Sequence, residues 1–392
     1  MDFDPFDSLT LALVGLMLAF ALGWLASRFD LRQWKREQQE SPKAYFKGLN
    51  LLLNEQQDKA IDAFIEAVQH DPGSSDLHFA LGNLFRRRGE YERAVRVHQH
   101  LLGRGDLSAT ERERAQHALA QDYLKAGLFD RAEEAFRRLE GTAFATDARL
   151  ERLLLHEHAR DWHAAIEVAR KLEAAGAGSF AQRIAHHHCE LALEADARLR
   201  PDDADAELRK AREAAPQAAR PRVIEAQRLA QAGRHRDALA AWGDLFKVQP
   251  PALALVAGEI AASAKAAGSE LDLAAGRKLL QAAYERQPCL DLLQALRTLE
   301  PAASDGFAAL ASHLERHPTP SAAAALLQHR DALGSTPTAA ETRRLQQVLA
   351  AAARPLRRYR CAACGFEAQN YFWQCPGCHS WDSYPPTRLE DQ

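Results

Sequence analysis

The chain opens with an uninterrupted apolar stretch at residues 9–26, LTLALVGLMLAFALGWLA, which carries no charged side chain. A helix of this length spans about 27 Å, close to the hydrocarbon thickness of a bilayer. The stretch follows three acidic residues and precedes four basic ones: Asp2, Asp4 and Asp7, then Arg28, Arg32, Lys35 and Arg36. Because basic residues stay on the cytosolic side, this pattern predicts a single-pass transmembrane helix with the N-terminus outside and the body in the cytosol.

We assign the anchor to residues 1–28 and a juxtamembrane linker to residues 29–43. Two other interpretations of the apolar stretch fit less well. A secretory signal would have basic residues before the apolar run and a small-residue cleavage site after it. A buried core helix would show a polar face, which this stretch lacks.

Helical periodicity fills the middle of the chain, where small residues recur at intervals of 34 positions. Such a period is typical of tetratricopeptide repeats, which need a small residue at the helix crossing, an aromatic residue before the turn and a closing proline. The first three repeats contain the expected markers: Gly48, Ala60, Phe64, Ala67 and Pro72; Gly82, Phe85, Gly89, Tyr91 and Ala94; Ala120, Tyr123, Gly127, Phe129, Ala132 and Phe136.

Later repeats keep the period with fewer markers, as in Ala204 and Ala238 or Pro216 and Pro250. Each helix pair exposes an apolar face that only the next pair can cover, so the pairs must stack. We therefore predict an all-α fold, a tetratricopeptide-repeat solenoid over residues 44–353, with a concave groove that binds protein segments. The alternative is a helical spacer that positions the C-terminal region.

Composition and motifs limit the function. The chain has 392 residues and a formal net charge of −3, which provides no basic field to attract nucleic acid. It contains no phosphate-binding P-loop, dinucleotide-binding GxGxxG, HExxH or GxSxG motif. We therefore predict a protein that is not an enzyme, with no catalytic residue, no organic cofactor and no nucleic-acid partner.

Four of the six cysteines lie close together near the C-terminus, as Cys361-Ala-Ala-Cys364 and Cys375-Pro-Gly-Cys378. Each CxxC pair forms a tight turn that directs two sulfurs to one point, and two pairs complete a tetrahedral thiolate site. The sequence therefore predicts a small metal-binding ribbon over residues 354–392, with these four cysteines as ligands to one structural ion. Zinc is the expected ion and iron the alternative, since tetrahedral sulfur sites hold either.

The surroundings of the cysteines suggest how the ribbon is stabilised. A site with four protein ligands is closed, which argues against catalysis at the metal. We expect Gly365 and Gly377 to supply unusual backbone angles in the two turns. We also expect the arginines at positions 357, 358 and 360 to offset the negative charge of four thiolates.

Two further clusters have competing interpretations. Seven aromatic residues surround the cysteines and form either a small core over the metal or a docking surface: Tyr359, Phe366, Tyr371, Phe372, Trp373, Trp381 and Tyr384. The run His186-His187-His188-Cys189 resembles a metal-binding tract. Adjacent helical residues point in different directions, however, so only His186 and Cys189 would share a face.

The order of anchor, repeats and cysteine ribbon, with the local sequences, closely resembles the lipopolysaccharide assembly protein B family of Gram-negative bacteria. The matching segments are residues 50–67 (NLLLNEQQDKAIDAFIEA), 81–102 (LGNLFRRRGEYERAVRVHQHLL), 185–191 and 359–381 (YRCAACGFEAQNYFWQCPGCHSW). The resemblance implies a rubredoxin-like ribbon that folds back against the repeats, with Cys361, Cys364, Cys375 and Cys378 as the metal ligands.

The resemblance also implies a regulatory role at the bacterial inner membrane, with the N-terminus periplasmic and residues 9–26 in the bilayer. Such proteins act with the membrane protease FtsH to direct destruction of the lipid A deacetylase LpxC, and a lipopolysaccharide-sensing inner-membrane protein restrains them. Whether the chain forms a homodimer is left open. Two alternatives are a general membrane-bound scaffold for envelope protein assembly and an iron-loaded, rubredoxin-like electron carrier.

Overall fold

The computed structural model describes residues 14–24, 46–300, 306–332 and 339–391. These residues are mostly helical, as predicted, with two short strands near the C-terminus. They divide into two compact units, Met1–Ala159 and Arg160–Gln392.

The predicted anchor at residues 9–26 falls only partly on the described residues. Residues 14–24 are helical, and apolar side chains such as Leu16 and Phe20 are exposed there. The rest of the anchor and the whole of the predicted linker at residues 29–43 lie outside the described residues. None of the described helices combines the length and the apolarity that crossing a membrane requires.

The first unit consists of helix pairs joined by short turns. After a helical stretch at residues 46–53, its helices are α1 (Gln57–His70), α2 (Ser75–Arg87), α3 (Tyr91–Leu102), α4 (Ala109–Lys125), α5 (Phe129–Arg137) and α6 (Ala145–His158). Ser108 begins α4 with a capping box, in which its hydroxyl accepts from the Glu111 amide while the Glu111 carboxylate accepts from the Ser108 amide. Gly89 and Gly127 adopt φ of +84° and +74° in the turns that follow α2 and α4.

Gly82 lies where α2 crosses α3, as the repeat pattern predicts. A β-carbon at this position would lie 2.5 Å from the buried ring of His98, so only glycine allows the two helices this close an approach. His98 in turn contacts Asp122 of α4 at 2.5 Å, and Arg86 donates to the same carboxylate at 2.7 Å. A buried polar network therefore links three consecutive helices.

The second unit continues the same arrangement toward the C-terminus. Its helices are α7 (Trp162–Ala174), α8 (Ala181–Ala197), α9 (Pro201–Ala214), α10 (Arg220–Gln231), α11 (His235–Val248), α12 (Leu253–Ala267), α13 (Glu270–Arg286), α14 (Leu290–Leu299), α15 (Gly306–Arg316), α16 (Pro320–Ala332) and α17 (Ala339–Leu356). Helices α8, α10, α12 and α14 begin successive pairs, and each contacts the next of these four. This row of first helices is typical of tetratricopeptide stacking.

The core of the second unit is built from large apolar side chains between α10 and α14. Trp242, Leu245, Leu253 and Ile260 are completely buried there. The chain ends in the ribbon, whose strands β1 (Tyr359–Arg360) and β2 (Glu367–Ala368) pair antiparallel, with Tyr359 opposite Ala368. The predicted C-terminal ribbon is thus present, and its sheet has two strands.

Candidate metal centre

The two cysteine pairs sit in turns that have the same backbone hydrogen bonds. The Cys361 amide donates to the Phe366 carbonyl at 2.9 Å, and the Cys375 amide donates to the Ser380 carbonyl at 2.9 Å. A second hydrogen bond closes each turn. The Gly365 amide donates to the Cys361 carbonyl at 2.8 Å, and the His379 amide donates to the Cys375 carbonyl at 2.8 Å. This equivalence aims both pairs of sulfurs at a common centre.

The residue after each second cysteine is left-handed, with φ of +77° at Gly365 and +56° at His379. The expectation that Gly377 supplies an unusual backbone angle is wrong, since it is not among the glycines with positive φ. Its role is steric instead. A β-carbon on Gly377 would come within 3.3 Å of the Phe366 ring, so glycine lets that ring cover the second turn.

The four predicted ligands come together in one group. The sulfurs of Cys361, Cys364, Cys375 and Cys378 all lie within 4.8 Å of one another. Those of Cys361 and Cys378 are 3.8 Å apart, and those of Cys364 and Cys375 are 3.7 Å apart. Four sulfurs placed about 2.3 Å from a central ion at tetrahedral angles lie about 3.8 Å apart. The spacing therefore fits one tetrahedral ion, and the group is a site for one structural metal.

At two of the four cysteines, neighbouring polar groups favour the thiolate form that metal binding requires. The hydroxyl oxygens of Ser383 and Ser380 lie 3.2 Å from the Cys361 sulfur and 3.3 Å from the Cys378 sulfur. Burial acts to raise the pKa of Cys361, but hydrogen bonds from Ser383 and from backbone amides outweigh it and lower the pKa to about 6. The Ser380 hydroxyl and amide likewise lower the pKa of Cys378.

The three arginines that precede the first turn, which we expected to offset the charge of the thiolates, form ion pairs with carboxylates of the ribbon. Arg360 and Arg358 pair with the Glu367 carboxylate at 2.7 and 3.7 Å, and Arg357 lies 4.0 Å from Glu390. They therefore neutralise acidic groups of the ribbon itself. Any effect on the thiolates comes only through longer distances.

The aromatic residues serve both of the purposes considered above. Tyr359 and Tyr384 are buried beside the cysteines, and the Tyr384 hydroxyl lies 3.7 Å from the Cys375 sulfur. Tyr371 packs edge-on against Tyr359 and donates to the Tyr384 carbonyl at 3.3 Å. Trp373 and Trp381, by contrast, face the repeats.

The ribbon docks on the row of first helices at equivalent positions of successive repeats. It meets His186 on α8, Arg220 on α10, Leu255 on α12 and Asp291 on α14, and these positions are 34, 35 and 36 residues apart. Each of the four lies near the beginning of its helix. One edge of the solenoid therefore carries the ribbon.

Polar and aromatic contacts hold this docked position. His186 Nε2 lies 2.5 Å from an Asp382 carboxylate oxygen, and its ring stacks on Trp381 with centroids 4.7 Å apart. The Arg220 guanidinium lies 5.7 Å from the centre of the Trp381 ring and donates to Glu190 at 2.6 Å.

Farther along the edge, Arg388 donates to Asp291 at 2.9 Å and approaches the Tyr359 ring at 5.3 Å. The predicted site residues did not include Asp382, Arg220, Asp291 or Arg388. Among these four, the sequence gives a signal only for Arg220, which lies 34 residues, or one repeat period, after His186.

The histidine run does not gather around one point. His186 turns to the ribbon, His187 stacks on Trp162 at 5.7 Å, and His188 lies 2.6 Å from the Glu207 carboxylate. Cys189 is completely buried, and burial raises the pKa of its thiol to about 12. The run therefore joins three neighbouring elements, and the metal-tract interpretation is not supported by the positions of its side chains.

Comparison with known proteins agrees with this architecture. A family model described as a rubredoxin metal-binding domain matches residues 359–385. Lipopolysaccharide assembly protein B of Escherichia coli K12 is 31% identical over 379 residues, which cover 95% of this chain and 97% of that protein.

The chain is also similar to a second relative and to solved structures that include MamA. The protein of the same name from Haemophilus influenzae is 26% identical over 398 residues, covering 96% of this chain and 98% of its own length. The crystal structure of MamA aligns with 45% of this chain and 92% of its own, at 17% identity and a TM-score of 0.34.

Proposed function

The chain belongs to the lipopolysaccharide assembly protein B family, and we propose on that basis that it is an inner-membrane adaptor that regulates lipopolysaccharide synthesis. In this proposal it presents the lipid A deacetylase LpxC to the membrane protease FtsH, and a lipopolysaccharide-sensing inner-membrane protein restrains it. The observation that carries the proposal is the 31% identity over 95% of the chain.

The architecture of the second unit supports an adaptor. Stacked helix pairs offer a long surface for protein segments and supply no reactive group of their own. The metal site has four protein sulfurs, which leaves no open position for a substrate. The ribbon fixes one edge of that surface by contacts on four successive first helices.

Anchoring is the second part of the proposal. We infer that residues 9–26 cross the inner membrane once, with the N-terminus in the periplasm and the repeats on the cytoplasmic side. The apolar run and its asymmetric charged flanks support this orientation. Confinement to the plane that holds the protease raises the effective concentration of both proteins, so weak contacts suffice for transfer of a substrate.

The decisive experiment follows LpxC after depletion of this protein in its native host. We expect LpxC to persist severalfold longer after protein synthesis is blocked, and lipopolysaccharide to rise. Complementation with Cys375→Ser should fail because the ribbon cannot hold its metal, whereas the matched Cys289→Ser, which changes a cysteine outside the site, should restore turnover. An unchanged LpxC lifetime would favour the general envelope scaffold instead.

A separate test addresses the membrane. A chain that lacks residues 1–28 should fail to restore LpxC turnover when produced at the native level. A cysteine placed at position 3 and, in a separate variant, one placed at position 40 should be labelled from opposite sides of the membrane, with the unmodified chain, whose Cys364 is exposed, as the reference for background labelling. Labelling of both from the same side would contradict the proposed orientation.

A further inference from the structure

A cleft of about 520 Å³ lies between α12, α14 and the docked ribbon. Helix α12 forms the floor with small residues such as Ala257, Gly258 and Ala261, and α14 contributes Gln294 and Thr298 to one wall. The ribbon supplies the other boundary through Tyr359 and Arg388. Because two elements distant in sequence form it, the cleft is complete only when the ribbon is docked.

We propose that this cleft binds an extended apolar segment of a partner protein, with an acidic side chain of that segment placed at Lys265. The inference rests on the proposed adaptor function and specifies where and what such an adaptor would bind.

The length of the cleft sets the length of the segment. Leu255, which packs against the ribbon, and Lys265 lie at opposite ends of the α12 lining. Ten residues of helix extend about 15 Å, and an extended chain advances about 3.3 Å per residue. The cleft therefore accommodates about four or five residues of extended chain.

The floor determines which side chains fit. A β-carbon on Gly258 would meet no atom within 4 Å, so space stands open above this position. The neighbouring alanines project only a methyl group, and an incoming bulky apolar side chain would cover them and lose its contact with water. Gln294 has an exposed amide on the adjacent wall, which both donates and accepts and so matches the backbone of an extended segment.

The charges select an acidic residue. Arg388 and Asp291 neutralise each other through a contact of 2.9 Å at the ribbon end. Lys265 lines the other end and makes no ion pair within the part of the chain that the structure describes. The cleft therefore has one uncompensated positive charge, which complements a carboxylate on the bound segment.

Selection from a phage-displayed library of random seven-residue peptides tests the proposal, with the full-length chain immobilised in detergent. We expect enrichment of apolar peptides with one Asp or Glu. An enriched peptide should lose affinity about two- to fivefold against Lys265→Glu, the range for an exposed ion pair. Selection against Lys265→Glu itself should enrich Lys or Arg at the same position of the peptide.

The second part of the experiment fills the floor of the cleft with a larger side chain. Gly258→Leu should abolish binding of the enriched peptide, whereas Gly243→Leu, another helical glycine with no atom within 4 Å of its β-position, should leave binding intact. Absence of an enriched motif, or binding that survives Gly258→Leu, would overturn the proposed cleft. The LpxC lifetime is measured independently, so peptide binding without any effect of the protein on LpxC would reject the proposed function and leave the cleft standing.

Discussion

Asp382 of the ribbon and His186 of α8 meet at 2.5 Å, although 196 positions separate them in the sequence. His186 is 1% exposed and Asp382 28% exposed in their side chains, so the contact lies at the edge of the interface. The Asp382 amide donates to the Trp373 carbonyl at 2.8 Å, which fixes this residue relative to the second cysteine turn. The backbone of the second cysteine turn therefore positions the side chain that contacts the repeats.

Replacing Asp382 with Ala should loosen the docked ribbon. The change leaves a buried imidazole nitrogen without its partner, which costs about 1–3 kcal/mol of folding free energy. We expect faster amide hydrogen exchange in residues 359–391 and at the start of α8, measured by mass spectrometry. Asp382→Asn keeps an acceptor oxygen and should lose less protection, so equal exchange in all three proteins would contradict the assigned role.

The sequence predicted the metal site, and the family resemblance implied that the ribbon folds back against the repeats, but neither identified the residue pairs that hold it there, for a physical reason. The ligands of each turn are three residues apart, and their geometry is set by local backbone turns that CxxC encodes. The docking pairs are distant instead, with 97 positions between Arg388 and Asp291. Which surface charges meet across such a distance depends on how helices stack, and a single sequence does not specify this.

Gly377 illustrates a second limit of sequence analysis. A glycine next to a metal ligand suggests an unusual φ, but here the space for the Phe366 ring requires it. Glycine permits either a backbone angle or a close approach, and the pattern alone does not separate the two. The crossing at Gly82 was predictable because the repeat period fixes its place in the helix pair.

Acidification should weaken docking through His186. Burial lowers the pKa of this histidine below its ordinary value of 6.5, and the Asp382 carboxylate offsets only part of the effect, while Arg220 and His187 lower it further. A folded-state pKa below the unfolded value means that this stabilisation is complete above pH 6.5 and is lost as the pH falls through the folded pKa. The protection of the ribbon amides, corrected for the slower intrinsic exchange at lower pH, should therefore fall between pH 7.5 and about pH 5.5.

The matched variant for the pH experiment is His186→Gln. Glutamine places an N–H donor near the Asp382 carboxylate and does not titrate, so its ribbon should show a smaller dependence on pH. His188, whose pKa burial also lowers, is unchanged in both proteins and cancels in the comparison. Identical pH profiles for the wild type and His186→Gln would rule out this histidine as the source.

Two helical glycines should respond in opposite directions to the same substitution. Gly82→Ala places a methyl group 2.5 Å from the His98 ring and should destabilise the first unit by about 1–3 kcal/mol. Gly258→Ala meets no atom within 4 Å and should stabilise its helix by up to about 1 kcal/mol. Thermal unfolding followed by circular dichroism distinguishes them, and a destabilised Gly258→Ala would show that the α12 surface is not open.

Removing the metal should unfold the ribbon and release the edge of the solenoid. The purified chain should contain one zinc ion by elemental analysis and show no visible absorption, whereas ferric iron held by thiolates would colour it. A ribbon with so small a core depends on its metal for folding. In Cys375→Ser we expect rapid exchange throughout residues 359–391 and partial loss of protection where α8, α10 and α14 begin, because His186, Arg220 and Asp291 then lose their partners.

The core between α10 and α14 supplies the internal reference for the metal experiment. Trp242 and Ile260 are buried among side chains of the repeats themselves, so α11 and the middle of α12 should keep their protection after metal removal. Cys289 is the N-cap residue of α14, and serine is suited to that position. The Cys289→Ser variant should therefore retain both the metal and the docked ribbon. Loss of protection throughout the second unit in Cys375→Ser would show that the ribbon is an integral part of the repeat core, because a docked module would leave that core intact.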